Sequence, residues 1–137
     1  MIRGVNHITF AVSNLNRAIA FYCDVLGAKL TAKWRQGAYL VLGGVWICLS
    51  VDAAAKQSLA HDYTHIAFDI AAEDFAVLEA RIIGGYPGAI WKDNRSEGAS
   101  LYIHDPDFNK LELHVGNMAS RLLATRQVPY EGMEWFD

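Results

Sequence analysis

One short pattern occurs twice in this chain, and it limits the folds open to it more than any other feature. Asn6-His7-Ile8-Thr9-Phe10-Ala11-Val12 is matched 58 residues later by Thr64-His65-Ile66-Ala67-Phe68-Asp69-Ile70. Both stretches alternate in the manner of strands. Each is followed by a polar turn and then a helical pattern. In the first half Leu15, Ala18, Ile19, Tyr22, Val25 and Leu26 form one apolar stripe. Ser13 or Asn14 is placed to cap its start, and Gly27 to end it in the left-handed conformation. In the second half Phe75, Leu78 and Ile82 make the matching stripe, and Gly85 falls 58 residues after Gly27.

Three strand-like segments follow each helix. They are Lys29–Trp34, Gly37–Leu42 and Val45–Ser50, then Ala89–Asp93, Ser100–His104 and Lys110–Val115. Gly43-Gly44 marks a tight hairpin, and Asp105-Pro106-Asp107-Phe108-Asn109 a second turn. Each half therefore reads β-α-β-β-β. The predicted class is α+β, with two tandem βαβββ modules in one compact domain: 1–50, a linker 51–62, 63–116, and a helix and tail at 117–137, with Asn117 as cap. A four-stranded sheet with one helix still has a second face to cover. Two such sheets, paired, make a curved half-barrel, and His7 and His65, on equivalent strands, are expected to be able to face its cavity.

At 137 residues and 53% hydrophobic, the chain is long and apolar enough to bury a core without disulfides or zinc. The net charge is −3, and Lys and Arg form no run, which argues against nucleic acid as a partner. No apolar run approaches the roughly 20 residues of a membrane helix. The opening MIRGVNHITFAV lacks the features of a signal peptide, and Cys23 and Cys48 make no spaced pair, so a reducing cytoplasm is the expected location.

Of the five histidines, any one alone is more simply a surface or hydrogen-bonded core imidazole. His61 falls in the linker, and His104 at a strand end. His7 and His65 stand apart because they match in the repeat. Glu112 is a third candidate ligand. Lying between Leu111 and Leu113, it points to the face those leucines avoid; the plainer reading is a solvent-facing carboxylate. Aligning the final strands of the halves sets Trp46 opposite Glu112, so the first half offers no carboxylate there. Two imidazoles and one carboxylate suit Mn²⁺, Fe²⁺ or Zn²⁺ with positions left open.

The repeat, the His7, His65 and Glu112 set, and Trp91-Lys92-Asp93-Asn94-Arg95-Ser96-Glu97-Gly98-Ala99-Ser100 together resemble the FosA-type fosfomycin-resistance glutathione transferases of the vicinal oxygen chelate superfamily. So do Asp62-Tyr63-Thr64-His65, Lys110-Leu111-Glu112-Leu113-His114-Val115-Gly116 and Pro129-Tyr130-Glu131-Gly132-Met133. The resemblance implies Mn²⁺ on His7, His65 and Glu112, and attack of the glutathione thiol on the epoxide of fosfomycin. It implies phosphonate contacts from Lys92, Ser96, Tyr102 and Arg121, Thr9 near the epoxide oxygen, and Tyr39 assisting the thiol. Trp34, Gln36, Ser50, Lys92 and Arg95 would line the glutathione channel, and Trp46 and Cys48 the cavity. An activating K⁺ would bind at Asn94, Ser96, Glu97, Gly98 and Ser100. The family forms a domain-swapped homodimer, so His7 of one subunit would join His65 and Glu112 of the other.

Two segments depart from the family pattern. Phe108 stands in a turn where Gly is usual, and Gly84-Gly85-Tyr86-Pro87-Gly88 is unusually rich in Gly. Other readings remain open: another thiol or water as nucleophile, an extradiol dioxygenase, or a drug-sequestering protein of the same fold. The first half has no carboxylate in Arg35-Gln36-Gly37-Ala38-Tyr39, where water-adding relatives place their base, which favours a thiol.

Overall fold

In the computed structural model residues 1–136 are described; Asp137, the end of the expected tail, lies outside the described residues. The first half runs β1 (His7–Val12), α1 (Leu15–Ala20), β2 (Lys29–Trp34), β3 (Gly37–Leu42) and β4 (Val45–Val51). The second runs β5 (Ile66–Asp69), α2 (Ala72–Gly85), β6 (Ile90–Lys92), β7 (Ser100–His104) and β8 (Lys110–His114), followed by α3 (Met118–Gln127). Sheet A has the order β1-β4-β3-β2 and sheet B the order β5-β8-β7-β6. The first strand of each pairs parallel with the last, and the rest is antiparallel. The repeat seen in sequence is thus a repeat in space. Even the irregularity is copied, with register shifts between Leu30 and Ala32 and between Ile90 and Lys92.

Local signals account for the element ends. Asn14, rather than Ser13, caps α1 by accepting from Arg17 N at 2.9 Å. The helix widens into a π-type turn over Phe21–Val25, where Leu26 N–H bonds to Phe21 O at 3.3 Å. It closes at Gly27 (φ +79°), whose N–H bonds to Cys23 O. Gly43 and Gly44 both have positive φ, as a two-residue hairpin of this twist requires. Gly85 does not repeat the part of Gly27. It is still helical, and α2 ends at Tyr86, whose N–H bonds to Ile82 O at 2.7 Å just before Pro87. Asn117 caps α3 in a reciprocal pair with Ser120.

One apolar core joins both halves, with Tyr22, Leu40, Ile47, Leu49, Ile82, Ile103 and Leu111 fully buried. Each buried aliphatic side chain contributes about 1.5–3 kcal/mol relative to exposure. The seam between the modules is polar. Tyr22 donates its hydroxyl to Asp105 Oδ2 at 2.9 Å, and Ser13 donates N–H and O–H to Asp107 Oδ1 at 3.0 and 2.6 Å. Asn109 Nδ2 reaches Ala11 O. Helices and turns join the modules, whereas the two sheets stay separate. Trp34, Tyr39, Trp46 and Tyr63 consequently remain 38–55% exposed. No helix among the described residues is long and apolar enough to cross a membrane.

Candidate functional site

Register fixes which positions of the two sheets correspond. Thr9 pairs with Cys48 and Cys48 with Tyr39; Ala67 pairs with Glu112 and Glu112 with Tyr102. The residue in sheet A equivalent to Glu112 is therefore Cys48, not Trp46. Trp46 lies beside His7, two residues away, and corresponds to Lys110. The sequence alignment slipped because the loops between the strands differ in length, and only hydrogen-bond register counts through them.

On sheet B, His65 sits just ahead of β5 with Nε2 3.0 Å from Glu112 Oε2. Its Nδ1 is 2.7 Å from Tyr63 O. Both ring nitrogens thus face oxygens that only accept, while a neutral imidazole carries one N–H. With Nδ1–H given to Tyr63 O, Nε2 faces Oε2 either with the second N–H of an imidazolium or with a free lone pair. A proton or a metal cation satisfies this contact, and the 3.0 Å spacing is about that of two adjacent ligands on one ion with bonds near 2.1 Å. The donor set fits a divalent metal on this chemistry.

Glu112 is 6% exposed. Burial alone pushes its carboxyl up, but hydrogen bonds from Ser100 and His65 outweigh this and hold it below the usual carboxylate range. Ser100 Oγ lies 2.6 Å from Glu112 Oε1 and 2.6 Å from His114 Nδ1. His114 had no assigned role from sequence. The available signal was its place two residues after Glu112, hence on the same face.

Beside this pair, Lys92 Nζ lies 4.3 Å over the Tyr102 ring, and the Ser96 and Tyr63 side chains lie near the Tyr102 hydroxyl. Burial raises the Tyr102 hydroxyl above its ordinary value, so it stays a donor. Lys92, Ser96 and Tyr102 are thus together next to His65. Arg121 is elsewhere engaged: its Nε donates to Glu97 Oε2, while Ser120 donates to Glu97 Oε1 at 2.8 Å. These bonds, Ser120 first, hold Glu97 below the usual range. Within the loop, Asn94 donates to Gly98 O, and its Oδ1 accepts from Ser96 N and Oγ. Arg95 is exposed.

On sheet A, His7 Nδ1 is 2.7 Å from Asn6 Oδ1, and its ring lies 4.5 Å from that of Trp46. Thr9, Cys48 and Tyr39 follow one another across the strands, with Ser50 further along β4. Tyr39 is edge-on to Trp34 and Trp46 at 4.7 and 5.1 Å. Gln36 is exposed in the β2–β3 turn. Within one chain His7 does not join His65 and Glu112: no group of three or more His, Cys, Asp or Glu among the described residues is placed to hold a metal. The described residues present two candidate half-sites, a carboxylate-and-cation group on sheet B and an aromatic group on sheet A.

Residues 4–113 match the sequence profile of the Glyoxalase/Bleomycin resistance protein/Dioxygenase superfamily, and the chain belongs to that superfamily. Its relatives within it include thiol transferases and a fosfomycin resistance protein. It is 49% identical over 135 residues to glutathione transferase FosA of Serratia marcescens, covering 97% of this chain and 95% of that protein. It is 39% identical over 130 residues to metallothiol transferase FosB of Staphylococcus epidermidis, covering 89% and 90%. Among solved structures it resembles fosfomycin resistance protein FosX of Listeria monocytogenes complexed with Mn(II) and sulfate. That match has a TM-score of 0.78 at 32% identity, over 90% of this chain and 98% of that one.

Proposed function

We propose that the protein is a metal-dependent glutathione transferase that opens the epoxide of fosfomycin and so inactivates it. The observation that carries this reading is the facing pair His65 Nε2 and Glu112 Oε2, 3.0 Å apart, about the spacing of two adjacent ligands on one ion. The similarity to the Serratia glutathione transferase supplies the reaction.

His65, Glu112 and His7 would hold Mn²⁺, the ion in the Listeria relative. When bound, the metal acts as a Lewis acid on the departing epoxide oxygen. Lys92, Ser96 and Tyr102 provide a cation and two hydroxyl donors for a phosphonate beside that pair, and Arg121 joins them by leaving Glu97. Thr9 offers a hydroxyl to the epoxide oxygen. Tyr39 accepts or orients the thiol proton, which matters because a free thiol is mostly protonated at neutral pH. Trp34, Gln36, Ser50 and Arg95, with Lys92, form the channel for glutathione. Trp46 and Cys48 wall the cavity. No strand of sheet A contains Asp or Glu, so a carboxylate base for water is lacking there, which favours a thiol nucleophile.

The active form is a homodimer in which sheet A of one copy covers sheet B of the other. Two features support this: His7 is apart from its co-ligands, and Trp34, Tyr39, Trp46 and Tyr63 are left open to water. K⁺ in the loop Asn94–Ser100 would take oxygens from Asn94, Ser96, Glu97, Gly98 and Ser100. The protein works in the cytoplasm, where glutathione is abundant.

The test is phosphorus NMR of fosfomycin with Mn²⁺, K⁺ and glutathione. A new glutathione-adduct resonance is expected. A diol formed as fast without glutathione would overturn the thiol assignment. Exchanging K⁺ for Na⁺ should slow the reaction.

A further inference from the structure

Glu112 faces His65 with one carboxylate oxygen, and its other oxygen is held by Ser100. On the reading of Glu112 as a metal ligand, we propose that Ser100 and His114 are its positioning residues. His114 Nδ1–H donates to Ser100 Oγ, and Ser100 O–H donates to Glu112 Oε1, so the carboxylate presents Oε2 alone to the metal.

Proton counting gives the direction. Ser100 has one O–H and two short contacts, both 2.6 Å. An ionised carboxylate only accepts, so the serine proton goes to Glu112. The contact to His114 then requires the proton to lie on Nδ1. The chain is shielded from water, with Ser100 7% and Glu112 6% exposed, where such bonds hold their geometry well. The imidazole is seated by two glycines. A Cβ on Gly116 would fall 2.8 Å from His114 Nε2, and one on Gly98 would fall 3.2 Å from His114 Cε1.

The first module is an internal control. By register, Gly37 pairs with Ser50 as Ser100 pairs with His114. The three positions held by Ser100, Glu112 and His114 on sheet B are thus held by Gly37, Cys48 and Ser50 on sheet A. Where the carboxylate is absent, the serine that would hold it is a glycine and the imidazole is replaced by the hydroxyl of Ser50. The space a side chain at Gly37 would need is taken by the ring of Trp34 and by Leu49 O. A network kept merely to fill the sheet would have no reason to vanish as a set.

The experiment is Mn²⁺ binding to the full chain, read as loss of the free-ion electron paramagnetic resonance signal. Ser100→Ala should weaken binding about 10- to 100-fold, the range found when groups that orient a ligand are removed. Ser100→Thr, which keeps the hydroxyl, should recover most of it. His114→Ala should weaken binding about tenfold, and His114→Asn, whose amide nitrogen takes the place of Nδ1, should restore it. Wild-type affinity in Ser100→Ala, or equal affinity in His114→Ala and His114→Asn, overturns the proposal. So does a fall in metal-free melting temperature with unchanged Mn²⁺ affinity. If Ser100→Ala does not fold, the His114 pair decides alone. Glu112→Gln separates the two layers. Intact binding there removes the ligand reading itself, whereas lost binding there with intact binding in Ser100→Ala removes only the positioning role.

Discussion

Sheet A and sheet B share strand order, register and even the place of an irregularity, yet they carry different chemistry on their open faces. Sheet B has an acid beside an imidazole, a lysine over a tyrosine ring, and a hydroxyl loop. Sheet A has an imidazole on a tryptophan, a row of Thr9, Cys48 and Tyr39, and no carboxylate. A doubled scaffold therefore does not mean a doubled site. Two symmetric halves would supply four ligands and leave a metal little room; on the proposed reading these would supply three and leave positions for substrate oxygens.

The sharpest way to break that comparison is to remove one ligand from each sheet. His65→Ala and Glu112→Ala should each lower kcat/KM about 10³-fold or more, and His7→Ala, on the other sheet, should do the same. Initial rates of adduct formation across a Mn²⁺ titration measure this. Near-normal turnover in His7→Ala would leave sheet A as wall rather than partner. Mixing then sharpens the result. His7→Ala and Glu112→Ala chains, each inactive, should recover about a quarter of wild-type activity after joint refolding, because half the dimers are mixed and each mixed dimer has one intact site of two. No recovery, with mixed dimers shown to form, would mean that the ligands come from one chain.

Much of this was legible in sequence because the repeat and the apolar periodicity are local. The strands Lys29–Trp34, Gly37–Leu42 and Ser100–His104 fall where the pattern puts them, as do the ends at Gly27 and Asn117. What was not legible is register. Counting residues set Trp46 opposite Glu112, whereas pairing sets Cys48 there. That depends on loop lengths and hydrogen bonding, which no periodicity encodes. The Glu97 and Arg121 pair was hidden for a related reason: it joins a loop to a helix 24 residues away.

The seam between the halves gives a smaller effect. Tyr22, from the first module, donates to Asp105, buried in the turn of the second. Tyr22→Phe should cost about 1–2 kcal/mol at pH 7, since a buried carboxylate loses one donor and keeps others. Burial, then the charge of Asp105, raises the phenol well above its ordinary value in the fold. The unfolded chain releases that proton near pH 10, so the contribution is whole below this pH and falls as pH rises towards the folded value. In urea unfolding, the gap between wild type and Tyr22→Phe should therefore narrow above about pH 10. A constant gap would assign the loss to packing alone.

The smallest contrast is between the two turns before the last strands. Gly43 and Gly44 take their positive φ at no steric cost. Phe108 takes φ +61° with a side chain, the only non-Gly residue described that does so. The turn holds because Asp105 Oδ1 accepts from the N–H groups of both Asp107 and Asn109 at 2.9 Å, and the Phe108 ring lies 5.2 Å from that of His104. Phe108→Gly relieves about 1–2 kcal/mol of left-handed backbone cost. It gives back part of this through the lost ring contact and a more flexible unfolded chain. The net expectation is a gain of roughly 0.5 kcal/mol, seen as a small rise in melting temperature with turnover unchanged, since neither ring contacts the half-sites. A drop would show that the Phe108 and His104 contact, rather than the backbone, decides the stability of this turn, and that the two modules close their last hairpins by different means.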